Sequence, residues 1–152
     1  MGAARTARVL CLLLGPGVVA QAARAQQHVW QADLQIRSLS VSSVNGKLTA
    51  RVVVAAEVGE ALAARVEVML PVGVGIVYLG AGCAPGPSAP GVPSLRARVI
   101  CTIGNLRPRD SREFSVTTTI PPDGVARQFG VMASSDTPDP KPGNNFAERV
   151  IP

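Results

Sequence analysis

Histidine is nearly absent from this chain, and of its 152 residues only His28 carries an imidazole. Nucleophilic catalysis by serine, threonine or cysteine ordinarily needs a base beside the nucleophile. His28 stands ahead of the first strand-like segment, which leaves a Ser-His-acid site without its base. The formal route to an exported hydrolase is then a serine paired with Lys47 or Lys141, and both lysines fall in predicted turns, where they read as solvated charges. Aromatic residues are also scarce, with three Phe, one Trp and one Tyr, so no stacking platform for nucleic-acid bases is expected. No apolar run reaches the roughly 20 residues a helix needs to cross a bilayer. No period of about 20–50 residues repeats, which excludes a solenoid or an array within this sequence.

What is present begins with an export signal. The opening MGAARTAR carries Arg5 and Arg8 without an acid, and the following Val9 to Ala20 is almost wholly apolar but interrupted by Gly15, Pro16 and Gly17. Ala23-Arg24-Ala25 supplies the small-x-small pattern that a signal peptidase reads. Residues 1–25 are therefore expected to be a signal peptide, with Gln26 as the mature start and cleavage after Ala22 as the second choice. Residues 26–31 then form a short tail, and residues 32–152 a single domain. Removing Arg5, Arg8 and Arg24 leaves twelve basic residues against ten acids, so the mature charge is only about +2 and the basicity belongs largely to the signal. Cys11 leaves with it, and Cys83 and Cys101 remain as an even pair in a compartment that permits disulfides. They are expected to be bonded.

The rest of the chain alternates. Leu48, Ala50, Val52 and Val54 share one parity; so do Val66, Val68 and Leu70; Leu95, Ala97, Val99, Cys101 and Ile103; Phe114, Val116, Thr118 and Ile120; and Phe129, Val131 and Ala133. Phe146 to Ile151 makes a last short run. A period of two is the mark of half-buried strands. In the opening strand Leu34 and Ile36 are even while Leu39 and Val41 are odd, so the phase flips near Arg37-Ser38, as a bulge or a strand switching sheets would make it do. Turn signals separate the runs, Asn45-Gly46 being a hairpin turn. Only Glu57–Val68 also admits a helical period. Seven or eight short strands at this spacing predict an all-β fold, an immunoglobulin-like antiparallel β-sandwich.

Four segments, in order, resemble a known family. They are Ala32-Asp33-Leu34, the strand Ala64 to Gly73 ending in Leu-Pro-Val-Gly, the Cys101-Thr-Ile-Gly-Asn-Leu106 segment, and Ser134 to Asn145, which closes on Asp139-Pro140 and Asn144-Asn145. Together they resemble the bacterial surface-protein repeat domain called DUF11, related in style to CARDB domains. The chain departs from that pattern in having Glu57-Val58-Gly59 where the family shows Asn-x-Gly, and in a closing turn stretched by Thr137 to Gly143. The resemblance implies an immunoglobulin-like fold in secreted or surface proteins and implies no chemistry.

Candidate ligands are few. Asp136, Asp139, Asn144 and Asn145 offer oxygens to calcium, although Asp and Asn are also what tight turns require, and turn stabilisation is the preferred reading. A chain starting Gln26-Gln27-His28 presents an amine, two backbone amides and an imidazole to Cu(II), a set that cyclisation of Gln26 destroys. Trp30 and Tyr78 are the aromatics available to a glycan, with Trp30 expected to pack as a lid over the first strand. Arg96 and Arg98 share an outward parity and form, with Arg107, Arg109 and Arg112, a basic set that suits an anionic envelope polymer or an acidic protein. The expectation is therefore a non-enzymatic exported module without a cofactor. It binds, or lends structural bulk, at the bacterial cell envelope, in the periplasm, on the surface or outside, and has no nucleic-acid partner and no transmembrane segment after cleavage. The alternatives are a calcium- or glycan-binding adhesion domain and, behind that, the exported hydrolase.

Overall fold

The computed structural model describes residues 30–87 and 97–151, so the expected signal segment, His28, Leu95 and Arg96 lie outside the described residues. The described chain forms nine strands: β1 (Asp33–Val44), β2 (Lys47–Val58), β3 (Ala61–Met69), β4 (Ile76–Leu79), β5 (Cys83–Pro85), β6 (Arg98–Leu106), β7 (Ser111–Thr119), β8 (Arg127–Ser134) and β9 (Phe146–Ile151). One 3-10 turn, Pro142–Asn144, precedes β9. The strands make two antiparallel sheets in the orders β1-β2-β7-β4 and β5-β6-β3-β8-β9. The first is the A-B-E-D sheet of an immunoglobulin-like sandwich, and β3, β8 and β9 hold the C, F and G places of the second. The chain visits the D place with β4 before it returns through β5 to lay β6 beside β3.

The alternation places the core. Leu48, Ala50, Val52 and Val54 of β2 and Phe114, Val116 and Thr118 of β7 face Ala64, Val66 and Val68 of β3, Val99 and Cys101 of β6, and Phe129, Val131 and Ala133 of β8. Burying a Val, Leu or Phe side chain in full contributes roughly 1.5–3 kcal/mol. A one-residue slip of any of these strands turns its whole apolar set to solvent, so packing fixes register. The same rule settles Glu57–Val68: it is the end of β2, a two-residue link and the start of β3, with the chain crossing between sheets at Gly59. Gly59 has φ +70°, and a Cβ there would lie 1.9 Å from the Gln31 carbonyl oxygen, so no side chain fits.

The expected phase flip in β1 is a register irregularity between Ile36 and Ser38. Skipping Arg37 lets Leu34 and Ile36, then Leu39 and Val41, all turn toward the core despite opposite parity. Asn45 and Gly46 both have positive φ, 51° and 71°, as a two-residue type I′ hairpin requires. Two features differ from expectation. Ile76-Val77-Tyr78-Leu79 and Cys83–Pro85 are strands, although neither alternates clearly. Trp30 is 88% exposed and covers nothing, because the backbone of Gln31 and Ala32, rather than the indole, is what meets the Gly59 link.

Cys83 and Cys101 are bonded and stand directly opposite each other on β5 and β6, so the bridge staples neighbouring strands of one sheet. Antibody domains instead carry their bridge across the core. The bonded residues are 18 apart in sequence. Replacing both by serine is expected to lower the unfolding free energy by about 3 kcal/mol, the chain-entropy value for a loop of this size. Urea unfolding of the oxidised protein and the double variant measures the difference.

Candidate functional site

Three places collect the residues singled out by sequence: the turn between β8 and β9, and the solvent faces of the two sheets. In the turn, Asp139 holds the chain by both oxygens. Its Oδ2 accepts from the backbone N–H of Leu34 at 2.8 Å and from Asn145 Nδ2 at 3.0 Å, while Oδ1 accepts from the backbone N–H of Lys141 at 2.7 Å. Asp33 begins β1 and is only 4% exposed. Its Oδ2 accepts from Lys141 Nζ and its Oδ1 from Asn144 Nδ2, each at 2.8 Å. The Ala32 N–H donates to the Pro138 carbonyl at 3.0 Å, completing the seam. These bonds join β1, the edge of the four-stranded sheet, to the approach of β9, the edge of the other.

Hydrogen bonding from Lys141, with Asn144 behind it, holds the Asp33 carboxyl below the usual carboxylate range despite its burial, and Asp33 in turn raises the Lys141 ammonium. Nearby, the Arg37 guanidinium 2.7 Å from Glu57 depresses that carboxyl, helped by the Gln35 amide. Of the four calcium candidates, Asp139, Asn144 and Asn145 are brought together, whereas Asp136 is exposed and engages Leu62 through its backbone N–H. Both Asp139 oxygens and both Asp33 oxygens face N–H donors, and an ammonium already lies against Asp33. The Asn144 and Asn145 Oδ1 atoms are buried without a protein partner. Among the described residues, no three His, Cys, Asp or Glu side chains gather around a point where a metal ion would sit. Lys141 is paired with Asp33, and Lys47, expected in a turn, instead opens β2 opposite Val44 and Thr119.

Thr137 does parallel work one turn earlier. Its hydroxyl donates to the Glu60 carbonyl at 2.9 Å and accepts from the Leu62 N–H at 3.0 Å, while Asn105 Oδ1 accepts from the Ala63 N–H at 3.1 Å. Ala63 has φ +47°, and these side chains satisfy the irregular start of β3 that no ladder partner reaches.

The solvent faces of the two sheets differ in chemistry. Across the four-stranded sheet, Ser42, Thr49, Thr117 and Tyr78 are successive register partners, with the Thr49 and Thr117 hydroxyls 3.0 Å apart and Tyr78 at the β4 edge, 56% exposed. Across the five-stranded sheet the register partners are Ala84, Ile100, Glu67, Met132 and Phe146. Met132 and Phe146 are 45% and 46% exposed, and Ile100 is half-buried beside them. Arg98 lies on this same face, ion-paired to Glu67 at 3.1 Å, while Arg107 and Arg109 occupy the β6–β7 turn and Arg112 the other sheet. Sequence reading singled out Arg98 but missed the apolar strip and the role of Asp33. The available signal was apolar side chains on the outward parity, Ile100 between Val99 and Cys101 and Met132 between Val131 and Ala133.

No protein-family model matches the sequence, and no curated protein matches it. Among solved structures the chain is similar to the chitin-binding domain of a chitinase from Pyrococcus furiosus, at 13% identity over 72% of this chain and 97% of that one, with a TM-score of 0.44. It is similar to the chitin-binding domain of Chi18aC from Streptomyces coelicolor at 13% identity over 72% and 95%, TM-score 0.44. A protein from Nocardia farcinica with an immunoglobulin-like fold matches at 10% identity over 78% and 82%, TM-score 0.43.

The seam titrates. Asp33 has a folded pKa below its unfolded value of 3.8, so its stabilisation is complete above that value and is lost as pH falls through the lower, folded one. Lys141 is raised, so its share persists up to its unfolded value of 10.5 and is lost above it. Asp33→Ala is expected to cost about 2 kcal/mol at neutral pH, the usual worth of hydrogen bonds to a charged group, and to flatten the fall in stability below pH 4. Chemical denaturation across pH 2.5–7 for both proteins reads the difference.

Proposed function

We propose that this chain is an exported, non-enzymatic immunoglobulin-like module of the DUF11 and CARDB kind, acting at the bacterial cell envelope by presenting the outer face of its five-stranded sheet to a protein or polymer partner. The observation that carries this reading is the exposed pair Met132 and Phe146, with the half-buried Ile100 in the same row, on a sheet face whose other side is fully occupied by the core. A soluble domain gains nothing in stability from apolar side chains turned to water, and grouped exposure of this kind marks a contact surface. Export is supported by the signal-like residues 1–25 and by the Cys83–Cys101 bond, which persists in oxidising compartments. The domain offers rigidity: two sheets locked at the seam hold the face in one shape.

The hydroxyl row ending at Tyr78 favours a second reading, a glycan partner, since an aromatic ring beside ordered hydroxyls suits a neutral sugar. Envelope fractions separate the two. Immobilised wild-type protein is expected to retain its partner, Phe146→Glu to lose at least about tenfold of that retention, worth roughly 1.4 kcal/mol or more, and Tyr78→Ala to retain it. The reverse pattern supports the glycan reading. Equal retention by all three removes both faces, and mass spectrometry of the secreted protein tests the Gln26 start.

A further inference from the structure

We infer that the partner of the five-stranded sheet is a second copy of this chain, packed face to face about a two-fold axis that runs parallel to the strands between β3 and β8. The inference rests on the reading of this face as a binding surface, and register supplies the geometry. The outward side chains that meet in this packing form three rows across β6, β3, β8 and β9, with Gln128 and Val150 lying beyond the first row. The first is Arg98, Met69, Gly130 and Glu148; the second is Ile100, Glu67, Met132 and Phe146; the third is Thr102, Arg65 and Ser134. The two-fold exchanges β6 with β9 and β3 with β8 while keeping each row. Arg98 then lies over Glu148 of the second copy, Ile100 over its Phe146, Glu67 over its Met132 and Arg65 over its Ser134. Each contact occurs twice, as an isologous interface requires.

Charge selects this axis over its alternative. A two-fold perpendicular to the strands through the second row lays each strand on its own counterpart. It sets Glu67 against Glu67 and Met69 against Arg65. The parallel axis instead brings every charge to an opposite or uncharged neighbour. Arg98 spends one nitrogen on Glu67, leaving further N–H donors of its planar fork for the second copy. Glu148 is exposed and, among the described residues, forms no ion pair in its own chain. The face is also level enough for the contact. Gly130 carries no side chain, and the Met69 methyl lies over it, 2.7 Å from where a Cβ would stand, so the centre is smooth. Aligned packing of two sheets about 10 Å apart accommodates such a surface. Four strands at ~4.8 Å spacing and three rows at ~6.8 Å give a footprint of about 400 Å² on each copy and about 800 Å² combined, the size of a weak, transient contact, so the dimer is expected to form only in the upper micromolar range and to dissociate on dilution.

Sedimentation equilibrium of the whole secreted protein from about 1 to 500 µM tests this. Wild type is expected to dimerise, and Phe146→Glu to remain monomeric throughout. Arg98→Glu and Glu148→Arg are each expected to weaken self-association at least about tenfold, because each sets like charges together, and an equimolar mixture of the two to associate more tightly than either alone. Circular dichroism confirms that each variant is folded. A wild type monomeric to the top concentration, a dimer indifferent to Phe146→Glu, or a mixture no tighter than its components overturns the inference. A monomeric wild type whose envelope retention is still lost in Phe146→Glu overturns the second copy alone and leaves the proposed function standing.

Discussion

Asp139 is the point on which the sandwich closes. A two-sheet fold has four edges, and the β1 and β9 edges of this one lie on the same side, where nothing in the ladder pattern joins them. One carboxylate there gathers the Leu34 N–H of β1, the N–H of Lys141 and the Asn145 amide. Asp33 answers from the other sheet by taking Lys141 and Asn144. Because Asp33 is buried, losing either cation or amide strands a desolvated charge, which costs far more than an exposed ion pair gains. The seam is therefore cooperative, and it sets the separation of the two sheets at one side of the core.

That seam also explains the motif-like endings. The Asp in Ala32-Asp33-Leu34 and Asn144 stand more than a hundred residues apart, yet Asn144 donates to the Asp33 carboxylate, while the adjacent Asn145 donates to Asp139. Sequence could show each as a turn-forming or ligand-bearing residue but not that they meet, since nothing local encodes a contact of that range. Strand faces were legible for the opposite reason. Burial of one side imposes a period of two wherever a strand lies on the core, so the parity of Leu48 to Val54 or Phe129 to Ala133 declares its own face. Even the flip at Arg37 was readable. β4 escaped because Ile76 to Leu79 is apolar throughout and bulged, with a register shift between Ile76 and Tyr78, so no alternation survives to be read.

Surface chemistry follows from how each edge and face is protected. From Leu70 to Leu95 no charged residue occurs, so β4 lacks the lysines and arginines that usually keep strand edges apart. Its shortness and its bulge serve instead, since four residues offer too few aligned N–H and C=O groups to template another strand. On the four-stranded face, the Thr49 and Thr117 hydroxyls satisfy one another. The five-stranded face uses neither device: Met132 and Phe146 are neighbours across a ladder, reinforcing exposure rather than breaking it. The contrast between the two faces of one small domain is harder to assign to stability than either face alone.

The disulfide ties two strands of one sheet rather than the two sheets, although Cys101 is buried in the core and Cys83 packs against it. Because it joins adjacent strands, the core of Leu48, Val52, Val66, Phe114 and Phe129 must cohere by packing between sheets without a covalent tie. What the bond fixes is the position of β5 along β6, and hence Ala84 beside Ile100 at the rim of the apolar strip. β6 itself carries Arg98 and Ile100, so the strand held by the bond supplies one charged and one apolar side chain of that face. Oxidation outside the cell would then complete the outer sheet as well as strengthen the fold. In a reducing cytoplasm β5, three residues long and paired only to β6, has little else to keep it in register. If the chain is exported as proposed, the compartment that forms the disulfide is also the one in which this face is finished.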